Sequence, residues 1–163
     1  MDRRISDVLK ILHEEVGIYR ELVELARRKT ALLVQGRVEA IQESNKTEET
    51  CSLKLRILEN EMSRLCGELC QLFKIPHEEF TLLRLAVDAD PPVAAEIKAQ
   101  TSLFQSLIEQ LKSVNRRNGR LIESSIRYSR GLLDFLYGNT GSYQQNGSFR
   151  PMRSLQTTLS RRA

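Results

Sequence analysis

Tryptophan is absent from this chain of 163 residues, histidine occurs twice and proline four times. Aromatic residues make up 6% and charged residues 28%, a composition that suits a helical protein. Three cysteines, Cys51, Cys66 and Cys70, are too few and odd in number for a disulfide framework, which points to a reducing compartment. No run approaches the ~20 apolar residues that cross a bilayer, so stable membrane insertion is not expected. No signal-peptide core follows the arginines of Met1-Asp-Arg-Arg-Ile-Ser-Asp7, and a cytoplasmic location is expected.

Catalytic patterns are missing as well. The chain has no Gly-rich phosphate loop, no HExxH and no GxSxG. Histidine occurs only at His13 and His77, His13 reads as a surface residue rather than a base, and nothing supplies paired acid and base groups in a defined pocket, so neither an enzyme nor a cofactor is expected. Cys66 and Cys70 lie four apart on one helix face, but structural zinc takes four ligands and neither histidine completes the set. They read as core thiols rather than a metal site. Glu14-Glu15 and Glu78-Glu79 read as solvated helix faces.

Lysine, aspartate and glutamate are absent from Tyr137 to Ala163, which carry four arginines. The preceding body keeps 21 basic residues against 21 acidic ones and is formally neutral. A net charge of +4 concentrated in such a tail argues little for nucleic acid, whose binding domains cluster Lys and Arg on a folded face. Nucleic acid is therefore not expected as a partner.

What is present is helical periodicity. Ile5, Leu9, Leu12, Val16, Tyr19, Val23, Ala26 and Leu33 alternate in steps of four and three, with Thr30 filling one slot. Leu22 and Leu25 broaden that face, and Gly36 suits a left-handed helix end. A second pattern spans Val38 to Phe73, with an almost wholly polar middle from Glu43 to Thr50. Ile75-Pro76 ends it. A short helix is expected over His77–Ala86, and Asp90 then caps a long one from Pro92 to about Leu136.

The expected fold is all-α. A long antiparallel hairpin and a long C-terminal helix form an elongated three-helix bundle or coiled coil, with a short extra helix and a flexible tail. The helical domain covers 1–136 and the tail 137–163. The last long helix has two adjacent apolar stripes, one through Ile97, Phe104, Ile108 and Ile122, the other through Leu107, Leu121, Tyr128, Leu132 and Phe135. Such a helix can pack on its own hairpin and keep surface for something else. Asn115 and Asn118 interrupt the stripe, and polar residues on a seam fix register at some cost in stability.

The pattern Asn115-x-x-Asn118-x-x-Leu121-Ile122, an apolar helix end and Tyr143-x-x-x-Gly147 in a polar tail resembles the FlgN family of flagellar export chaperones. Tyr19-Arg-Glu-Leu-Val-Glu-Leu-Ala26, Lys29, Leu32-Leu33-Val-Gln-Gly36 and Leu58-Glu59 are similar to that family's first two helices. The tail departs from the pattern in lacking lysine and in the glutamine pair after Tyr143. The resemblance implies a non-enzymatic chaperone that binds hook-associated flagellar proteins, shields their terminal amphipathic helix and delivers them to a component of the export gate. It assigns Leu121, Ile122, Tyr128, Leu132 and Phe135 to a cargo groove, taken singly against a role in the intramolecular core. Asn115 and Asn118 would position the hairpin or bond the cargo backbone. Tyr143 and Gly147 would touch cargo or gate, and Met152, Leu155 and Leu159 would anchor the tail by folding on binding. A homodimer stays open. The competing reading is a self-associating coiled coil without cargo.

Overall fold

A computed structural model of the protein describes residues 3–87 and 89–138, with the backbone of 142–143 and 149–150. Its elements are α1 (Arg3–Gln35), α2 (Val38–Phe73), a 3₁₀ turn (His77–Glu79), α3 (Leu82–Leu85), α4 (Pro91–Gly138), β1 (Ser142–Tyr143) and β2 (Phe149–Arg150). The class is all-α, as the periodicity implies. The chain divides into two compact units, 1–119 and 120–163.

In the first unit α1 and α2 are antiparallel. Ile5, Val8, Leu9 and Ile11 share a core cluster with Leu65 and Leu69, while Leu22 and Leu25 pack with Cys51 and Leu55. The first part of α4 runs parallel to α1, with Ile97 in the cluster of Ile5 and Leu107 in that of Val16 and Val23. α1 is therefore covered by two helices, which is why its apolar face is so broad. Tyr19 and Phe104 meet edge to face with ring centroids 4.9 Å apart, a favoured aromatic geometry. Leu12, Leu69 and Ile97 are fully buried, each burial contributing ~2 kcal/mol of transfer free energy.

The polar middle of α2 is only partly solvated. Lys29 and Glu48 form an ion pair at 2.6 Å across the hairpin, and both side chains are largely shielded. Cys51 takes the buried place on the next turn.

Both long helices of the hairpin end in the same way. Gly36 has φ 66°, its N–H donates to the Leu33 carbonyl, and the Arg37 N–H donates to that of Leu32. These are the two bonds of a Schellman cap. At the end of α2 the left-handed position falls on Lys74, with φ 53°, and the Ile75 N–H donates to the Cys70 carbonyl at 3.0 Å. A Cβ in this region costs about 1–2 kcal/mol, part of which is regained through the smaller entropy of the unfolded chain. Lys74→Gly is expected to stabilise the protein by roughly 0.5–1 kcal/mol in denaturant unfolding, and a loss of stability would contradict it.

The helix expected over His77–Ala86 is split. Thr81 accepts a hydrogen bond from the Arg84 N–H at 3.0 Å and restarts the helix as α3, leaving a 3₁₀ turn before it. Leu85 and Ala86 then seal the cluster around Ile5. α4 begins with the Ala94 N–H on the Asp90 carbonyl at 2.8 Å. In the second unit, Ser142 pairs with Arg150 and Tyr143 with Phe149, antiparallel. These four residues are paired strand where the sequence reading expects no regular structure. Asn146-Gly147, a turn-favouring dipeptide, lies between them in the sequence.

Candidate functional site

Asn118 and Asn115, alike in the sequence, have opposite fates. Asn115 is exposed. Asn118 is 4% exposed, and its Nδ2 donates to the Ala26 carbonyl at 2.9 Å. The Thr30 hydroxyl lies 2.6 Å from Asn118 Oδ1 and 3.2 Å from the Ala26 carbonyl. A hydroxyl carries one hydrogen, and the shorter contact is the one to the amide. These bonds tie α4 to α1 at one register. Asn118→Ala strands a buried polar pair and is expected to lower stability by about 1–3 kcal/mol, read as a shifted unfolding midpoint. An unchanged midpoint would remove that role.

The second unit's stretch of α4, residues 120–138, is different in kind. Leu121 is half-buried, and every residue after it on the helix whose burial is described is exposed. Ile122, Tyr128, Leu132 and Phe135 from the sequence reading all lie on it, with Tyr128 at 74% and Phe135 at 67% exposure. Ile126, Leu133 and Leu136 are exposed too and were missed. Their signal was there: Ile126 follows Ile122 by four residues and precedes Leu133 by seven. At about 100° per residue these side chains span about half of the helix circumference. An exposed apolar surface of this extent makes this stretch the candidate interaction surface of the chain.

Tyr143 is described in its backbone alone, as the β1 partner of Phe149. Gly147, Met152, Leu155 and Leu159 lie outside the described residues.

Among the described residues no other feature gathers catalytic or metal-binding chemistry. His13 Nε2 lies 3.1 Å from Glu96 Oε1 between α1 and α4. Among the described residues, no group of His, Cys, Asp and Glu could hold a metal ion. Cys51 and Cys70 are buried and Cys66 half-buried, and burial pushes the thiols of Cys51 and Cys66 up, away from reactivity. Glu15 corrects the reading of a solvated pair. It is 6% exposed, because α1 is buried on two sides rather than one, and burial followed by the charge of Glu59 pushes its carboxyl up to about 7. No described helix is long and apolar enough to cross a membrane.

Fold and surface together define an all-α protein: a packed unit of long helices, followed along α4 by exposed apolar side chains. The family described as FlgN protein matches residues 1–151, and the chain belongs to that family, the FlgN flagellar export chaperones. It is a chaperone family and not an enzyme family. No curated protein and no solved structure matches the chain.

Proposed function

We propose that the chain binds the terminal amphipathic helix of hook-associated flagellar proteins along α4 between Leu121 and Leu136, keeps that helix from aggregating in the cytoplasm and hands the cargo to the export gate. The observation that carries this reading is the row of exposed apolar side chains from Ile122 to Leu136. A cargo helix laid against them buries two apolar faces at once, the helix-in-groove mode of recognition. No nucleotide is needed, since competition at the export machinery can release the cargo. Tyr143, Gly147, Met152, Leu155 and Leu159 extend the site in this reading, with the tail closing over the cargo or meeting the gate. Asn118 holds the helix in register and Asn115 offers a surface amide.

The test compares the full chain with one ending at Leu136. Circular dichroism is expected to show both folded, with pull-down of a purified hook-associated protein weakened in the shorter chain, which keeps the α4 face and lacks the tail. Equal cargo binding by both would remove the tail from the site. A stable dimer through the α4 face, with no cargo bound, would favour the self-associating coiled coil.

A further inference from the structure

Between the C-terminal part of α1 and α4 lies a cavity of about 520 Å³, and all of its described walls belong to the first unit. Ala31 and Val34 of α1 and Val114 of α4 supply the apolar part of the lining, and Val34 is 72% exposed. Arg27 and Arg117, one on each helix, are the charged residues among the described walls, and no acid joins them. Other hollows differ. The one at Asp7, Lys10, Glu14, Glu61 and Arg64 is mixed in sign, and the groove at Leu82, Leu83, Phe104 and Ile108 is uncharged.

The positive sign extends beyond the lining. From Leu25 to Val38 the chain carries Arg27, Arg28, Lys29 and Arg37 and no acid, and from Gln110 to Ile122 it carries Lys112, Arg116, Arg117 and Arg120 and no acid. These two runs adjoin, since Asn118 bonds Ala26 and Thr30, and Arg27 Nη2 donates to Gln110 Oε1 at 2.9 Å. Lys29 and Lys112 are neutralised by Glu48 and Glu109. Arg27 pairs with Glu24 one turn back, through a contact about half exposed on both sides, and such surface pairs contribute little. Arg117 has no hydrogen bond or ion pair, and its neighbours three and four places away on α4 are Ser113, Val114, Arg120 and Leu121. An unpaired guanidinium suits a carboxylate, which it meets with two parallel N–H···O bonds. The aliphatic lining gains from an aliphatic group.

We infer that this cavity docks a peptide segment in which a carboxylate side chain stands beside a branched aliphatic one. The carboxylate meets Arg117 and Arg27, and the aliphatic group covers Ala31, Val34 and Val114. A nucleic acid would use the arginines alone and leave the valines in water. An acyl chain longer than these three small residues can cover stays in water as well. Gln35 lies about 12 Å along α1 from Arg27, where the C-terminal carbonyls of the helix disfavour a second carboxylate, so the segment carries one. The site uses none of the residues from Ile122 to Leu136 and is independent of the proposed cargo surface.

The experiment takes the full-length protein and three short labelled peptides that differ only at two adjacent positions, Leu-Glu, Leu-Gln and Ser-Glu. Fluorescence anisotropy at about 50 mM salt is expected to favour the Leu-Glu peptide by about tenfold over each of the others. Its binding is expected to shift the methyl resonances of Ala31, Val34 and Val114. Arg117→Glu is expected to lower its affinity at least about tenfold and Val34→Ser several-fold, with circular dichroism unchanged because both side chains are exposed. Equal binding of the three peptides, an affinity unchanged by Arg117→Glu, or no binding at about 1 mM peptide overturns the inference. Decanoate that binds more tightly than the Leu-Glu peptide and is weakened by Arg117→Glu also overturns it and assigns the cavity to a fatty acid. A variant with Leu132→Asp and Phe135→Asp is expected to keep the Leu-Glu peptide while losing a purified hook-associated protein. Loss of the peptide in that variant places its site on the cargo surface and overturns the inference.

Discussion

Leu132→Asp combined with Phe135→Asp is expected to cost the protein its cargo and leave its fold. Both side chains are exposed, so neither fills a core, and surface changes of this kind shift stability by about 0.5 kcal/mol or less. In the proposed helix interface the same residues would be central apolar anchors. Losing one such anchor costs about 2 kcal/mol or more, and a buried aspartate facing an apolar partner adds a desolvation penalty. Cargo affinity should fall at least about 100-fold in titration calorimetry while the thermal midpoint barely moves. If the midpoint collapses with the affinity, these residues belong to a core and the binding surface lies elsewhere. If both hold, α4 does not carry the cargo.

Raising the pH from about 4.5 to 7 is expected to weaken the fold through one residue, Glu15. Its carboxyl is buried in α1, with Glu59 of α2 adding like charge, and the side chains of Tyr19 and Cys66 also sense its field. The folded protein holds a proton there that the unfolded chain has already released. Stability from this group is therefore complete below 4.5, is lost as the pH rises towards about 7, and is flat above that. Full linkage of such a shift amounts to about 3 kcal/mol, and remaining solvent screening brings the expectation to roughly 2 kcal/mol. Glu15→Gln keeps the shape without the charge. It should raise stability at about pH 8 by that amount and flatten the slope in urea unfolding curves taken across the window. Parallel slopes for the two proteins would show that the carboxylate is solvated after all.

Much of the architecture was legible in the residues. The α2 bounds coincide with the apolar pattern from Val38 to Phe73, because a polar-to-apolar period of 3.6 is imposed by the helix itself. Gly36 marked the turn because a left-handed residue favours glycine. Lys74 hid the equivalent turn, since a lysine there carries no such signature. The candidate surface was legible as two adjacent stripes on α4, although the stripe through Ile126 and Leu133 was missed. It runs beside the seam that packs in the first half of the helix, and only the loss of that packing beyond Asn118 makes it distinct.

The sequence by itself determined which residues share a helix face, where the long helices start and stop, and the family to which the chain belongs. The first two follow from local periodicity, and the family from short motifs that resemble it together with the match over residues 1–151. Only the tertiary structure decided which faces are covered. It turned Asn118 inward and Asn115 outward, buried Glu15 beside exposed Glu14, and left α4 bare after Leu121. The physical reason is that periodicity assigns a direction around a helix axis but not the neighbour found in that direction. α1 has neighbours on two sides, and the end of α4 presents its apolar arc to water.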